Sequence, residues 1–299
     1  MTHNKDITLH NGHIRIYKRE NSKFWQMRIK APKEKAIRES TGCRSLKDAK
    51  DIATRKYELL INDKKILYIE NKISSHEFKG KHLLGIENLK KNELEYIINY
   101  SQKFIELNKQ KIKKNELLKG KSIFNVFFED STRTRTSFEI AAKRLGADLI
   151  NVSVKDSSIN KGETLLDTMT TINSMNPDIL IIRHPDEGIS KKISMNVDAC
   201  VINAGDGSHE HPTQALLDAL TIKNRFKNFN KLQIAICGDI LHSRVARSNI
   251  IILSKLGARV NVIGPKEWLP KNIKNLPVTV FTDMKKGLKN CDIVMMLRI

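Results

Sequence analysis

The stretch SIFNVFFEDSTRTRTSFEIAAKRL, residues 122–145, runs from an apolar strand through a polar loop into a helix. Its run IFNVFF (123 to 128) is followed by Ser131, Thr132, Arg133, Thr134, Arg135 and Thr136. Backbone N–H groups at a helix start, several hydroxyls and guanidinium groups together make a cradle for phosphate. One Ser or Thr is enough to cap a helix. So long a run interleaved with arginine exceeds what capping requires.

The same alternation continues toward the C-terminus. Seven further apolar runs follow: DLINVSV (148 to 154), DILIIR (178 to 183), ACVIN (199 to 203), QIAIC (233 to 237), RVNVI (259 to 263), VTVF (278 to 281) and DIVMML (292 to 297). Strands alternating with amphipathic stretches predict parallel sheets with helices on both faces. The helix-like stretch from His211 through Arg225 separates four strands from four. The expected fold class is therefore α/β, with two doubly wound parallel-sheet domains over residues 80–223 and 224–299 and a cleft between them. Ligands in such sheets bind beyond the carboxyl ends of the strands.

Several clusters fall at such ends. Ser157-Ser158-Ile159-Asn160-Lys161-Gly162-Glu163 is a polar loop after a strand, and Arg183 closes DILIIR ahead of His184-Pro185-Asp186-Glu187-Gly188. NAGDGSHEHPTQALLD (203 to 218) brings a Gly-rich loop to His211, Pro212, Thr213 and Gln214 at a helix start, where proline fits the first turn. Metal binding by His209, Glu210 and His211 is disfavoured because adjacent side chains diverge, so no metal is expected. CGDILHSRVARSN (237 to 249) puts Arg244 just inside a helix and lacks the GxGxxG spacing of a dinucleotide site. Arg298 ends the last strand run. A single arginine at a strand end is ordinarily a surface charge; several facing one cleft imply anionic ligands.

Composition divides the chain differently. Its 299 residues carry 53 Lys+Arg against 33 Asp+Glu, a formal charge of +20. Residues 1–79 hold 19 and 10 of these, net +9, and residues 80–299 hold 34 and 23, net +11 over a much longer stretch. Abundant Lys, Ile and Asn throughout also suit an A/T-rich coding bias. A 40% hydrophobic fraction excludes wholesale disorder. No apolar run reaches the ~18 residues of a membrane span, and the polar start has no signal-peptide core, so a cytoplasmic chain without membrane contact is expected. Cys43, Cys200, Cys237 and Cys291 have neither disulfide nor zinc spacing.

The basic front reads as a small sheet and a helix. His13 to Arg19 alternates, with Ile14 and Ile16 on one face and Arg15, Tyr17 and Arg19 on the other. Phe24 to Lys30 repeats the pattern, with Trp25, Met27 and Ile29 inward and Gln26, Arg28 and Lys30 outward. A third strand is expected near Ala36 to Thr41. Ser45 and Asp48 suit a helix start for Leu46, Ala49, Ala53, Tyr57 and Leu60. Ile61 to about Lys81 reads as a linker. The expectation is a three-stranded sheet plus one helix over residues 1–79, whose Arg15, Arg19, Arg28 and Lys30 face could contact DNA. Through GHIRIYKRENSKFWQMRIKAP and SLKDAKDIA the segment resembles the amino-terminal DNA-binding domain of phage-type tyrosine recombinases (integrases). The catalytic residues of a recombinase have no matching context downstream.

Over residues 80 to 299 the chain resembles the aspartate carbamoyltransferase catalytic chain, through STRTRTSFE, SSINKGETLLDT, RHPDEG, NAGDGSHEHPTQALLD and GDILHSRVARSN in that order. The ornithine carbamoyltransferases share STRTR, but their HCLP signature is absent. The resemblance implies transfer of the carbamoyl group of carbamoyl phosphate to the L-aspartate amine in pyrimidine biosynthesis, without metal or organic cofactor. It further implies that Ser131, Thr132, Arg133 and Thr134 hold the phosphate. Thr134, Arg183 and His211 would polarise the carbamoyl oxygen, and Gln214 would orient its NH₂. Ser157 and Lys161 would enter a neighbouring subunit's site in a homotrimer, Lys161 reaching both substrates, while Arg244 and Arg298 would bind the aspartate carboxylates. That family continues beyond Arg298 with an acceptor-binding loop and a final helix, so the resemblance implies an incomplete aspartate half-site, impaired turnover and low stability. The alternative expectation is an integrase-derived DNA-binding protein carrying an inactive carbamoyltransferase relic.

Overall fold

The computed structural model describes residues 6–31, 35–73, 78–153 and 164–298. The chain divides into two compact units, Met1–Ser75 and His76–Ile299.

In the first unit, strands β1 (Ile7–Leu9), β2 (Ile14–Lys18), β3 (Trp25–Ile29) and β4 (Ile37–Ser40) form an antiparallel sheet in that order, packed by helix α1 (Leu46–Ile73). Ile14, Ile16, Met27 and Ile29 meet Ala49, Ala53 and Tyr57 of α1, so the predicted inner faces form the core. The structure corrects the expectation in three places. The sheet has four strands, because Ile7 pairs with Ile16 and Leu9 with Ile14; a three-residue strand is too short for alternation to reveal. The stretch read as a linker from Ile61 is helical through Ile73, since no Pro or Gly interrupts residues 61–79 and its Lys, Glu and Leu are good helix formers. Gln26 is buried instead of solvent-facing, its Nε2 donating to Ser22 Oγ and Phe24 O of the preceding turn.

The second unit begins with α2 (Lys91–Lys109). β5 (Ser122–Phe127), α3 (Thr132–Arg144), β6 (Asp148–Ser153), α4 (Leu165–Ser174), β7 (Ile179–His184), α5 (Ile189–Ser194), β8 (Cys200–Asp206) and α6 (Pro212–Phe226) follow. Then come β9 (Gln233–Cys237), α7 (Arg244–Leu256), β10 (Arg259–Ile263), β11 (Val278–Phe281), α8 (Met284–Leu288) and β12 (Ile293–Met296). All eight apolar runs are strands. They form two parallel four-stranded sheets, β6-β5-β7-β8 and β11-β10-β9-β12. Strand order reverses between β5 and β7 in the first and between β9 and β12 in the second. Those two switch points open crevices at the strands' carboxyl ends.

Alternation along each strand feeds both faces of the first sheet. Phe124, Val126, Leu180 and Ile182 pack on Met169 and Ile172 of α4, while Ile123, Phe127 and Ile181 pack on Ala142 of α3. In the second sheet Ile234, Ile236, Val260 and Val262 share one core with Ile250 and Leu253 of α7, Ala215 and Ala219 of α6, and Leu94 and Ile98 of α2. Helices α2 and α6 therefore bury their apolar faces with the second sheet although both precede it in sequence.

Ile234 lies fully buried on the inner strand β9. Ile234→Ala is expected to cost about 2–5 kcal/mol through lost burial and the cavity left behind, read as a lowered urea midpoint of the full chain.

Candidate active site at the two switch points

β5 runs out at Phe127, and the chain turns through Glu129 to Ser131, the N-cap of α3. Ser131 makes no side-chain hydrogen bond to the first helical turn. Its hydroxyl is therefore not spent on capping, in keeping with the excess of hydroxyls in this motif. Thr134, in the same turn, accepts a hydrogen bond through Oγ1 from Arg183 Nη1 at 3.3 Å. Arg183 stands at the end of the neighbouring strand β7, and the same Nη1 donates to Ala204 O at 3.2 Å.

Arg244 comes from the other switch point. It is the first residue of α7, after β9, where Ser243 accepts from Ala246 N as the cap. Its Nη2 donates to Glu129 Oε1, and that oxygen also lies 2.6 Å from Arg183 Nε. One carboxylate thus holds two arginines from the two sheets. Both guanidiniums close on Gly205, where a Cβ would stand 3.1 Å from Arg244 Nη1 and 3.3 Å from Arg183 Nη1. The φ of +122° at Gly205 is one that glycine adopts freely and other residues do not. Burial lowers the pKa of Arg183 from its ordinary value, and Arg244 lowers it further, while Glu129 opposes both.

His211 precedes α6 with 7% of its surface exposed. Its backbone N–H donates to Ser248 Oγ of α7 at 2.9 Å. Burial, then Arg183 and Arg244, push its imidazole down to about 3, so the ring is neutral at physiological pH. Three residues on, Gln214 Nε2 donates to Asp218 Oδ1 at 2.9 Å. Burial raises the Asp218 pKa, with the Asn249 and Gln214 donors acting against it.

Glu210 and His209 depart from the expectation that adjacent side chains here diverge. The ligating atoms of Glu87, His209 and Glu210 lie within 4.8 Å of one another, whereas His211 sits with the arginines. Glu210 is 1% exposed, and its carboxylate accepts from Ile86 N at 2.7 Å, Glu87 N at 3.2 Å and Ser248 Oγ at 3.1 Å. These donors draw Glu210 toward the loop before α2. Asp206 holds the preceding turn. Burial pushes its carboxyl up, but the His209 imidazole 3.6 Å away and hydrogen bonds from Asn203 and the N–H groups of Gly188 and Glu210 bring it below its ordinary value overall.

Of the remaining predicted residues, Thr132 and Arg133 are exposed on the first turn of α3, and Arg298 is exposed just after β12. Ser157 and Lys161 lie outside the described residues. Glu129, Gly205, Asp218, Ser248 and Asn249 all stand inside motifs singled out from the sequence but were given no role there, and Glu210 was weighed only as a disfavoured metal ligand. In the first unit, Arg15 pairs with Arg28 across β2 and β3, and Arg28 with Arg38 across β3 and β4. Arg19 and Lys30 are exposed beyond the ends of β2 and β3.

Two parallel sheets whose switch points supply guanidinium, hydroxyl and neutral imidazole donors make an α/β candidate site with the donors that group transfer from an anionic substrate needs. Comparisons with known proteins narrow that class. A family profile described as "Aspartate/ornithine carbamoyltransferase, carbamoyl-P binding domain" matches residues 81–224. The aspartate carbamoyltransferase catalytic subunit of Pelagibacter ubique is 58% identical over 219 residues, covering 73% of this chain and 70% of the relative. That of Methylorubrum extorquens is 56% identical over 222 residues, 74% and 70% respectively. Among solved structures, aspartate transcarbamoylase from Trypanosoma cruzi in complex with carbamoyl aspartate and phosphate matches with a TM-score of 0.68 at 30% identity, covering 74% of this chain and 75% of that one. The same enzyme in complex with carbamoyl phosphate and aspartate gives 0.65, covering 73% and 72%. The chain belongs to the aspartate carbamoyltransferase catalytic subunit family.

The low pKa of His211 has a consequence for acid stability. An unfolded histidine takes up its proton near pH 6.5, the folded one only near 3, so the unfolded state binds more protons between these values. This contribution to stability is complete above about pH 6.5 and is lost as the pH falls toward 3. His211→Asn is expected to flatten the fall of the unfolding free energy with acid over that window, by up to ~1.4 kcal/mol per pH unit, read from urea titrations at each pH.

Proposed function

We propose that this chain transfers the carbamoyl group of carbamoyl phosphate to the α-amine of L-aspartate, yielding N-carbamoyl-L-aspartate and phosphate in pyrimidine biosynthesis. The observation that carries this reading is the convergence of Arg183 and Arg244 on Gly205 beside Thr134 and His211. The amine nitrogen adds to the carbamoyl carbon, negative charge grows on the carbamoyl oxygen, and the bond from that carbon to the phosphate oxygen then breaks, the departing phosphate taking the proton that the nitrogen loses. In this reading Thr134, Arg183 and the neutral His211 ring donate to that oxygen. Ser131, Thr132, Arg133 and Thr134 hold the phosphate, and Arg244, Arg298 and Lys161 serve the aspartate carboxylates, a task suited to bidentate guanidinium. Preorganised donors of this kind act without a covalent intermediate. The family assignment supports a homotrimer in which Ser157 and Lys161 complete a neighbour's site.

Removing one such donor costs ~10²–10³ in kcat. Purified chain is expected to form N-carbamoyl-aspartate from the two substrates, and Arg183→Ala to lose activity by that factor with little change in urea midpoint. Absence of product from the unmutated chain, or full activity in Arg183→Ala, overturns the reading.

A second reading concerns residues 1–79 alone. We infer that their sheet contacts a polyanion such as duplex DNA, and the supporting observation is the row Thr8, Arg15, Arg28, Arg38 in register across four strands. Like charges directly opposite one another destabilise a sheet, and Asp6 relieves only Arg15 at the row's end. Duplex binding by the full chain is expected to weaken with salt, and the double substitution Arg28→Ala with Arg38→Ala to reduce the slope of log K against log salt by about 2. A slope unchanged by that substitution removes the sheet from the contact.

A further inference from the structure

Gln214 lies in the first turn of α6, with Asp218 one turn later on the same helix. Gln214 Nε2 donates to Asp218 Oδ1 at 2.9 Å, and Asp218 Oδ2 accepts from Asn249 Nδ2 of α7 at 2.8 Å. Asn249 is fully buried, and its Nδ2 also donates to Val245 O at 3.1 Å. Both oxygens of the carboxylate are thus engaged by amide N–H groups, which fixes its plane. An ionised carboxylate only accepts hydrogen bonds. The Gln214 amide must therefore turn its NH₂ to Asp218, leaving Oε1 on the opposite side as an acceptor that no described residue fills. A Gln–Asp pair one turn apart is by itself an ordinary helix-surface contact. Here a buried side chain from a second helix is committed to the same carboxylate, which an ordinary surface contact does not need.

We propose that Asp218, held by Asn249, is a positioning residue that keeps Gln214 Oε1 directed to the acyl group, so that the site selects an acyl phosphate bearing an N–H donor over one bearing a methyl group. This rests on the carbamoyl phosphate reading of the site and adds the origin of its selectivity. With a carbamoyl group, Oε1 accepts from the NH₂. With an acetyl group of nearly the same shape, Oε1 is desolvated without a donor, a loss on the order of 10- to 100-fold in affinity.

The test measures dissociation constants of carbamoyl phosphate, acetyl phosphate and inorganic phosphate by calorimetry on the full chain. Unmutated protein is expected to prefer carbamoyl over acetyl phosphate by about that factor. Asp218→Asn can donate to Gln214 Oε1 and lets the amide rotate; it is expected to erase most of the preference while acetyl phosphate and inorganic phosphate bind within about twofold of before. The double exchange Asp218→Asn with Gln214→Glu keeps the charge and the hydrogen bond of the pair, presents an acceptor oxygen in either orientation, and is expected to restore the preference. Equal weakening of all three ligands in Asp218→Asn, a preference left intact by it, or a folded double variant without preference overturns the proposal. An unmutated chain that does not prefer carbamoyl phosphate overturns the carbamoyl phosphate reading, and this inference with it.

Discussion

The site depends on one carboxylate placed between two arginines. Arg183 ends a strand of the first sheet and Arg244 begins a helix of the second, and Glu129 Oε1 contacts both. Two partly buried guanidiniums side by side repel, and removing the partner of a buried charge costs about 3–5 kcal/mol. Glu129 supplies the negative charge that lets both arginines stand at Gly205. It also ties the carboxyl end of the first sheet to the helix that follows β9 of the second. In the proposed reaction an incoming anion would meet guanidiniums already aimed and would compete with Glu129 for their N–H groups.

Around this centre, helix α7 acts as a brace through two consecutive residues. Ser248 accepts from the His211 backbone and donates to Glu210, whose carboxylate also gathers the N–H groups of Ile86 and Glu87. Asn249 reaches Asp218, which holds Gln214. The side chains that begin α6 are thereby positioned from the second sheet's helix, and the core agrees with this arrangement. Ala215 and Ala219 of α6 pack with Ile250 and Leu253 of α7. Small residues on α6 bring the helices close enough for these short polar side chains to meet, so apolar packing and polar registration depend on each other.

What the sequence made legible follows the range of each interaction. The eight strands were readable because each carries a short apolar run, whether buried as in β9 or half-exposed as in β12. Arg183 and Arg244 were readable because topology sends strand ends to the cleft. Glu129 was not, although it lies in the stretch that decided the fold, because an acidic residue beside a phosphate motif gains its meaning only from arginines 54 and 115 positions away. Asp218 and Glu210 were hidden for the same reason, their partners lying on α7 and before α2. The short strand β1 and the continuation of α1 past Leu60 were missed for a local reason: three residues carry no period, and a polar stretch without Pro or Gly suits a helix as well as a linker.

The +20 charge is handled in two physically different ways. In the cleft, Arg183 and Arg244 are partly buried and share a carboxylate, and Arg183 also bonds a carbonyl and a hydroxyl, so part of their charge is offset within the fold while Arg183 Nε and Arg244 Nη1 keep no hydrogen-bond partner among the described residues. On the antiparallel sheet, Arg15, Arg28 and Arg38 lie in one cross-strand row, and the pairing register itself forces them together. Slipping the register by one residue would separate them but would turn Ile14, Ile16, Met27 and Ile29 outward. The core of that small unit therefore holds the arginine row in place against its own repulsion. Asp6 pairs with Arg15 at one end of the row, and because solvent and salt screen exposed charges, the burial of those four apolar side chains outweighs the repulsion that remains.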